Sequence, residues 1–185
     1  MKKLLFVFSA IAILTYTSCL PDEEMGTLNL SFQATFGEDV LSIGGEYEML
    51  DDRKFIINRS DFFLSDVRLV AEDGSEEELF DYIQVDFTDT PTRNFNVGEG
   101  VEAGMYSTLK FNLGLNSKLN ATSPVDYEAS SVLNNSGYYW EGWDSYIFSK
   151  TEGKVADDNG DITEGWLFHT GTDDMLREVT ITIDR

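Results

Sequence analysis

Residues 62–87 read FFLSDVRLVAEDGSEEELFDYIQVDF. Two apolar-rich, alternating segments flank Glu72-Asp73-Gly74-Ser75, and Asp-Gly between such segments favours the positive φ angles of a tight hairpin turn. The stretch therefore predicts antiparallel strands over 62–70 and 79–87. Working outward, Leu28, Leu30 and Phe32 alternate with Asn29, Ser31 and Gln33, the pattern of a half-buried strand. Further short runs at 55–58, 107–113, 146–149, 166–169 and 179–183 carry the same signature. A long period of 3.6 residues is absent, and the expected helix is short, over 126–133 behind Ser123-Pro124. Many short strands at regular spacing give an all-β fold, an antiparallel β-sandwich of Greek-key, immunoglobulin-like or jelly-roll-like type with one short helix.

The N-terminus sets the location. Lys2 and Lys3 precede the apolar run 4–14, the charged and hydrophobic regions of a secretory signal, and the run is too short for a stable membrane span. It ends in Tyr16-Thr17-Ser18-Cys19, small residues before the only cysteine of the chain, as lipoprotein processing requires. The expected organisation is a signal peptide over 1–18, a lipidated acidic tether over 19–26 and one β-sandwich domain over 27–185. Acyl chains on Cys19 would hold the protein to a membrane at about 0.8 kcal/mol per buried methylene. Leu20-Pro21-Asp22-Glu23-Glu24 resembles the export signal that some Gram-negative lineages use for the outer face of the outer membrane, and equally suits a solvated linker. The localisation read from this is an outer-membrane lipoprotein on the periplasmic or cell-surface face.

With Cys19 used outside the fold, the domain has no internal disulfide and no thiolate metal site, so its core must hold it together. The formal charge of the 185 residues is −21, and losing Lys2 and Lys3 takes it to −23. Such a charge repels nucleic acid, which is excluded as a partner.

Candidate chemistry is sparse. Asp157, Asn159 and Asp161 occupy the first, third and fifth positions of an EF-hand loop, but Ile162 and Phe168 stand where glycine and glutamate belong, so a hairpin turn is expected there. No serine sits in a G-x-S-x-G elbow, nothing marks a phosphate loop, and the chain reads as a binding protein rather than an enzyme. Residues 137–153, GYYWEGWDSYIFSKTEG, gather Trp140 and Trp143 among tyrosines and Phe148. Core packing, a metal or redox pocket and a sugar platform all suit that cluster. The single histidine, His169, lies in Trp166-Leu167-Phe168-His169, where alternation puts Leu167 and His169 on one face. Imidazole is a common copper and zinc ligand, yet one histidine is a thin site and equally a hydrogen-bonded strand residue.

The ordered features together resemble a family. They are Phe62-Phe63-Leu64-Ser65-Asp66-Val67-Arg68-Leu69 running into Asp73-Gly74; Asp81-Tyr82 to Asp86; Gly104-Met105-Tyr106 leading to Leu109-Lys110-Phe111-Asn112-Leu113-Gly114-Leu115-Asn116-Ser117; Tyr139-Trp140-x-x-Trp143; Tyr146-Ile147-Phe148; Glu152-Gly153; and Phe168-His169-Thr170-Gly171. This is similar to the MbnP-like family, named for a methanobactin-associated periplasmic protein, over nearly the whole chain from Leu28 to Ile183. The resemblance implies an extracytoplasmic β-sandwich, often lipid-anchored, that binds copper beside a tryptophan oxidised by a partner di-haem peroxidase-like enzyme; a TonB-dependent transporter is a further expected partner. It implies that His169 is a ligand, with Trp140 or Trp143 the modified residue. Relatives with copper use more than one histidine and often an acidic residue near Gly114-Leu115-Asn116-Ser117; this chain has His169 alone, and Asn116 there. The alternative is a surface β-sandwich that binds a glycan or a protein without a metal.

Overall fold

Strands of a computed structural model, described for residues 25–26, 28–96, 101–102 and 106–183, are β1 (Met25–Gly26), β2 (Asn29–Gln33), β3 (Thr35–Phe36), β4 (Asp39–Val40), β5 (Glu46–Glu48), β6 (Lys54–Ala71), β7 (Glu76–Asp86), β8 (Thr92–Asn96), β9 (Val101–Glu102), β10 (Tyr106–Leu113), β11 (Tyr139–Trp140), β12 (Ser145–Ala156), β13 (Ile162–Gly171) and β14 (Arg177–Thr182). One α-helix, α1 (Ser117–Asn120), accompanies them. The signal segment, Cys19 and the tether through Glu24 lie outside the described residues.

The hairpin read from 62–87 is β6–β7, antiparallel, with Phe62 opposite Val85 and Val70 opposite Glu76. Its turn places Gly74 at φ 88°, and the Asp73 carboxylate accepts the N–H of Ser75 at 2.9 Å. Asp and Gly thus supply the bond and the backbone freedom that the turn needs.

Two separately expected strands, 55–58 and 62–70, are one continuous strand, β6. The polar run Asn58-Arg59-Ser60-Asp61 reads as a break, yet Ser60 pairs with Thr151 and Asp61 with Lys150 in the ladder to β12. An ion pair between Arg59 and the buried Asp61 lets the strand continue through the interior. The N-terminal part of β6 lies between β5 and β12, and its C-terminal part lies between β7 and β10. Outside these, β13 pairs with β12 and β14 with β10.

Both faces of this sheet are covered. On one, Leu64, Val67, Ile83, Val85 and Phe111 pack against Leu30, Phe32 and Phe95 of the antiparallel β2–β8 pair, which is the second sheet of the sandwich. Leu64 and Val67 share that face although three apart, because Asp66 bulges at φ 51°. Its carboxylate accepts the side-chain amides of Asn112 and Asn116 at 2.6 and 2.7 Å, which hold the bulge. On the other face Phe63, Tyr146 and Phe148 meet Leu115, Leu119, Leu133 and Tyr138 from the segment between β10 and β12. Each buried aromatic removes about 150–250 Å² from water, and with no disulfide these two clusters supply the stability.

The expected helix over 126–133 is not formed. Its place holds 3₁₀ turns at Pro124–Asp126 and Val132–Asn134, with Tyr127 extended between them. Ser131 Oγ accepts the N–H of Leu133 at 3.1 Å and Asn135 Oδ1 that of Gly137 at 2.9 Å, local bonds that compete with a helical ladder. The α-helix starts earlier, where Asn116 Oδ1 caps the N–H of Leu119 at 2.9 Å. Asn116 is thus committed to the cap and to Asp66, a structural role.

Candidate functional site

The turn that connects β11 to β12 carries the tryptophan pair. Trp140 and Trp143 stack with ring centroids 5.4 Å apart and planes at 29°, and they remain 47% and 42% exposed. That exposure removes the core-packing reading of the cluster; Tyr138, Tyr146 and Phe148 are its buried members. The N–H of Trp143 donates to the carbonyl of Trp140 at 3.0 Å, and Tyr139 Oη donates to Asp144 at 2.7 Å, so the turn is tied at both ends. Two glycines seat the indoles. A Cβ on Gly142 would lie 2.6 Å from Trp140 Nε1, and one on Gly171 would lie 2.9 Å from the Trp143 ring.

Gly171 also fixes where Trp143 sits relative to the histidine. Residues two apart on a strand share a face, so His169 lies on the side of β13 that Trp143 covers at Gly171. The imidazole is 12% exposed, with Nε2 2.8 Å from Glu152 Oε1 on β12, while Nδ1 is buried and has no hydrogen-bond partner. An ionised carboxylate only accepts, so Glu152 places the proton on Nε2 and leaves the lone pair of a neutral ring on Nδ1. Carboxylates orient metal-binding histidines in this way.

Behind this pair the same face carries charges that the sequence reading did not single out. Asp61 and Lys150 are 1% and 6% exposed and oppose each other across β6 and β12. Arg59 bonds Asp61 and donates through Nη2 to Tyr138 Oη at 2.6 Å; Lys150 donates to the carbonyl of Gly137. Both cations lie over the Tyr138 ring, at 5.3 and 4.7 Å from its centroid. Burial pushes the Asp61 carboxyl above its ordinary range against the pull of Arg59, and burial lowers the Lys150 ammonium. Burial also raises the Tyr138 phenol, and the buried Tyr146 phenol is pushed up to about 12. The signal for this cluster was Arg59 and Asp61 at alternate positions before Phe63, two charges on one face of a strand.

The acidic loop at 157–161 forms the hairpin turn expected between β12 and β13. Asp157 Oδ1 accepts the N–H groups of Asn159 and Asp161 at 2.9 and 3.0 Å, and those bonds lower its carboxyl below the usual range. Among the described residues no group of three or more His, Cys, Asp or Glu side chains is placed to hold a metal. The structure thus sets one carboxylate, Glu152, against His169 and brings no third such side chain to the pair.

No curated protein matches the chain in sequence. A solved structure, MbnP from Methylosinus trichosporium, superposes with a TM-score of 0.59 at 12% identity, covering 86% of this chain and 72% of that one. At that identity the likeness is one of fold. The profile of the MbnP family matches residues 25–185, every strand of the sandwich and the Trp143–His169 corner included. The chain belongs to the MbnP family.

Proposed function

We propose that this is an extracytoplasmic, lipid-anchored binding protein that handles copper, and that it is not itself an enzyme. The observation that carries the reading is the unpartnered Nδ1 of His169, oriented by Glu152 on the face where Trp143 lies over Gly171. Copper, when bound, supplies redox chemistry and affinity for nitrogen donors. This chain's own residues supply the imidazole, the carboxylate that fixes its proton, and a half-exposed indole pair that a di-haem partner enzyme can reach. Membership of the MbnP family supports the same assignment.

Copper uptake by the purified protein should fall in His169→Ala, and Glu152→Gln should weaken it by about 10- to 100-fold, the usual effect of removing such a carboxylate. Equal uptake by wild type and His169→Ala would take His169 out of the account. The exposure of Trp140 and Trp143 favours one other reading, a stacking platform for a sugar, and that outcome together with copper-independent glycan binding would establish it.

Anchoring is tested separately. Labelled palmitate should enter the wild type and be absent from Cys19→Ser; label in the mutant would end the lipoprotein assignment.

A further inference from the structure

The outer edge of β13, the strand that also carries His169 and Gly171, offers a second site. Among the described residues this ten-residue strand has one strand neighbour, β12, and its opposite edge pairs with nothing. Unpaired edges are normally blunted by lysine, proline or brevity. Ile162–Gly171 contains no lysine, arginine or proline, and its one carboxylate is Glu164. At the other end of the sheet β14 is only six residues long and begins with Arg177 and Glu178.

The edge is also apolar on both faces. Leu167 is 63% exposed on one side and Phe168 is 71% exposed on the other. Beside Phe168 a cavity of about 240 Å³ opens on the sheet, lined by Met49, Phe55, Val155, Trp166 and Phe168 with Arg53 at its rim. Arg53 is paired with Asp51 at 2.9 Å, so it brings little free charge. Trp166 can take its place in that lining because Gly153 has no side chain: a Cβ there would lie 2.6 Å from the Trp166 ring.

We propose that this edge docks an extended segment of another protein as an added strand, its side chains alternating between apolar and basic. Strand addition takes affinity from main-chain hydrogen bonds and specificity from pockets for alternate side chains, and β13 supplies both. Charge selects the occupant. A chain of −21 repels a second copy along an edge flanked by Asp158, Asp161 and Glu164, and it attracts a basic segment.

The test uses the protein with its domain intact, in EDTA so that copper plays no part. The probes are a ten-residue peptide that alternates lysine with valine or phenylalanine, and a peptide of the same composition with its lysines grouped at one end. The alternating peptide should bind about tenfold more tightly than the grouped one, about 1.4 kcal/mol, and should protect amides of residues 162–171 from hydrogen exchange. Phe168→Lys and Leu167→Lys, both at exposed positions, should each abolish that preference while leaving the fold intact. Equal binding of the two peptides, protection elsewhere in the chain, or a protein already dimeric with β13 protected would overturn the proposal. None of these outcomes depends on whether His169 binds copper.

Discussion

Gly153→Ala should cost about 3 kcal/mol or more, at or above the upper end for overpacking a core, and should lower the thermal midpoint by several degrees. Gly153 is buried in β12, opposite Ile57 of β6 and Trp166 of β13, where the register of β12 against β6 shifts. A methyl group there would run into the backbone oxygen of Ile56 and lie 2.6 and 2.8 Å from two atoms of the Trp166 ring. The ring can move; the carbonyl cannot without parting β12 from β6. A second substitution, Trp166→Ala, should therefore fail to restore stability. Thermal unfolding followed by circular dichroism checks both variants, and full rescue by Trp166→Ala would show that the indole alone was the obstacle.

Arg59→Leu should be comparably damaging, about 3–5 kcal/mol, the usual cost of leaving a buried charge without its partner. Asp61 is 1% exposed and its Oδ1 has no hydrogen-bond partner, so Arg59 is what balances its charge through Oδ2. The sign of the pH dependence follows from the raised Asp61 carboxyl. A group whose folded pKa lies above its unfolded value of 3.8 favours folding when protonated, and that contribution is lost as pH rises through the folded pKa. Without Arg59 the pKa climbs further, so the deficit of Arg59→Leu should be largest at neutral pH and shrink as pH falls toward 4. The double variant Arg59→Leu with Asp61→Leu should be more stable than Arg59→Leu alone. Urea titrations at several pH values measure this, and a deficit independent of pH would remove the buried carboxylate as its cause.

Much of the fold was legible because its signals are local. Asp73-Gly74 marks a turn by backbone chemistry alone, and Asp157 to Asp161 marks another, so both hairpins followed from short stretches. The strands expected separately at 55–58 and 62–70 join because Arg59 and Asp61 pair with each other and Arg59 also bonds Tyr138, 79 residues away, which the local pattern does not report. The helix was misplaced because Ser131 and Asn135 capture nearby N–H groups, and no pattern of apolar spacing reports that competition.

The candidate site divides in the same way. Trp140, Trp143 and His169 could be named from residue type, but their exposure and the Glu152 contact depend on strand register, which brings β12 and β13 together and lays Trp143 on Gly171. Arg59 and Lys150 went unnoticed since isolated basic residues in a strand usually face water.

Because β6 runs unbroken through both halves of the sheet, the domain has a timetable as well as a shape. The strand is made in the first half of the chain, and at that stage only β5 and β7 exist to accompany it. Its remaining neighbours, β10 and β12, are supplied much later, and Phe62 waits for Ser149. Pairings between distant segments make folding slow, since loop closure must come before the contacts that reward it. A strand with apolar residues on both faces thus stays incomplete until β12 joins it, and the fold closes only when segments from nearly the whole chain are brought together.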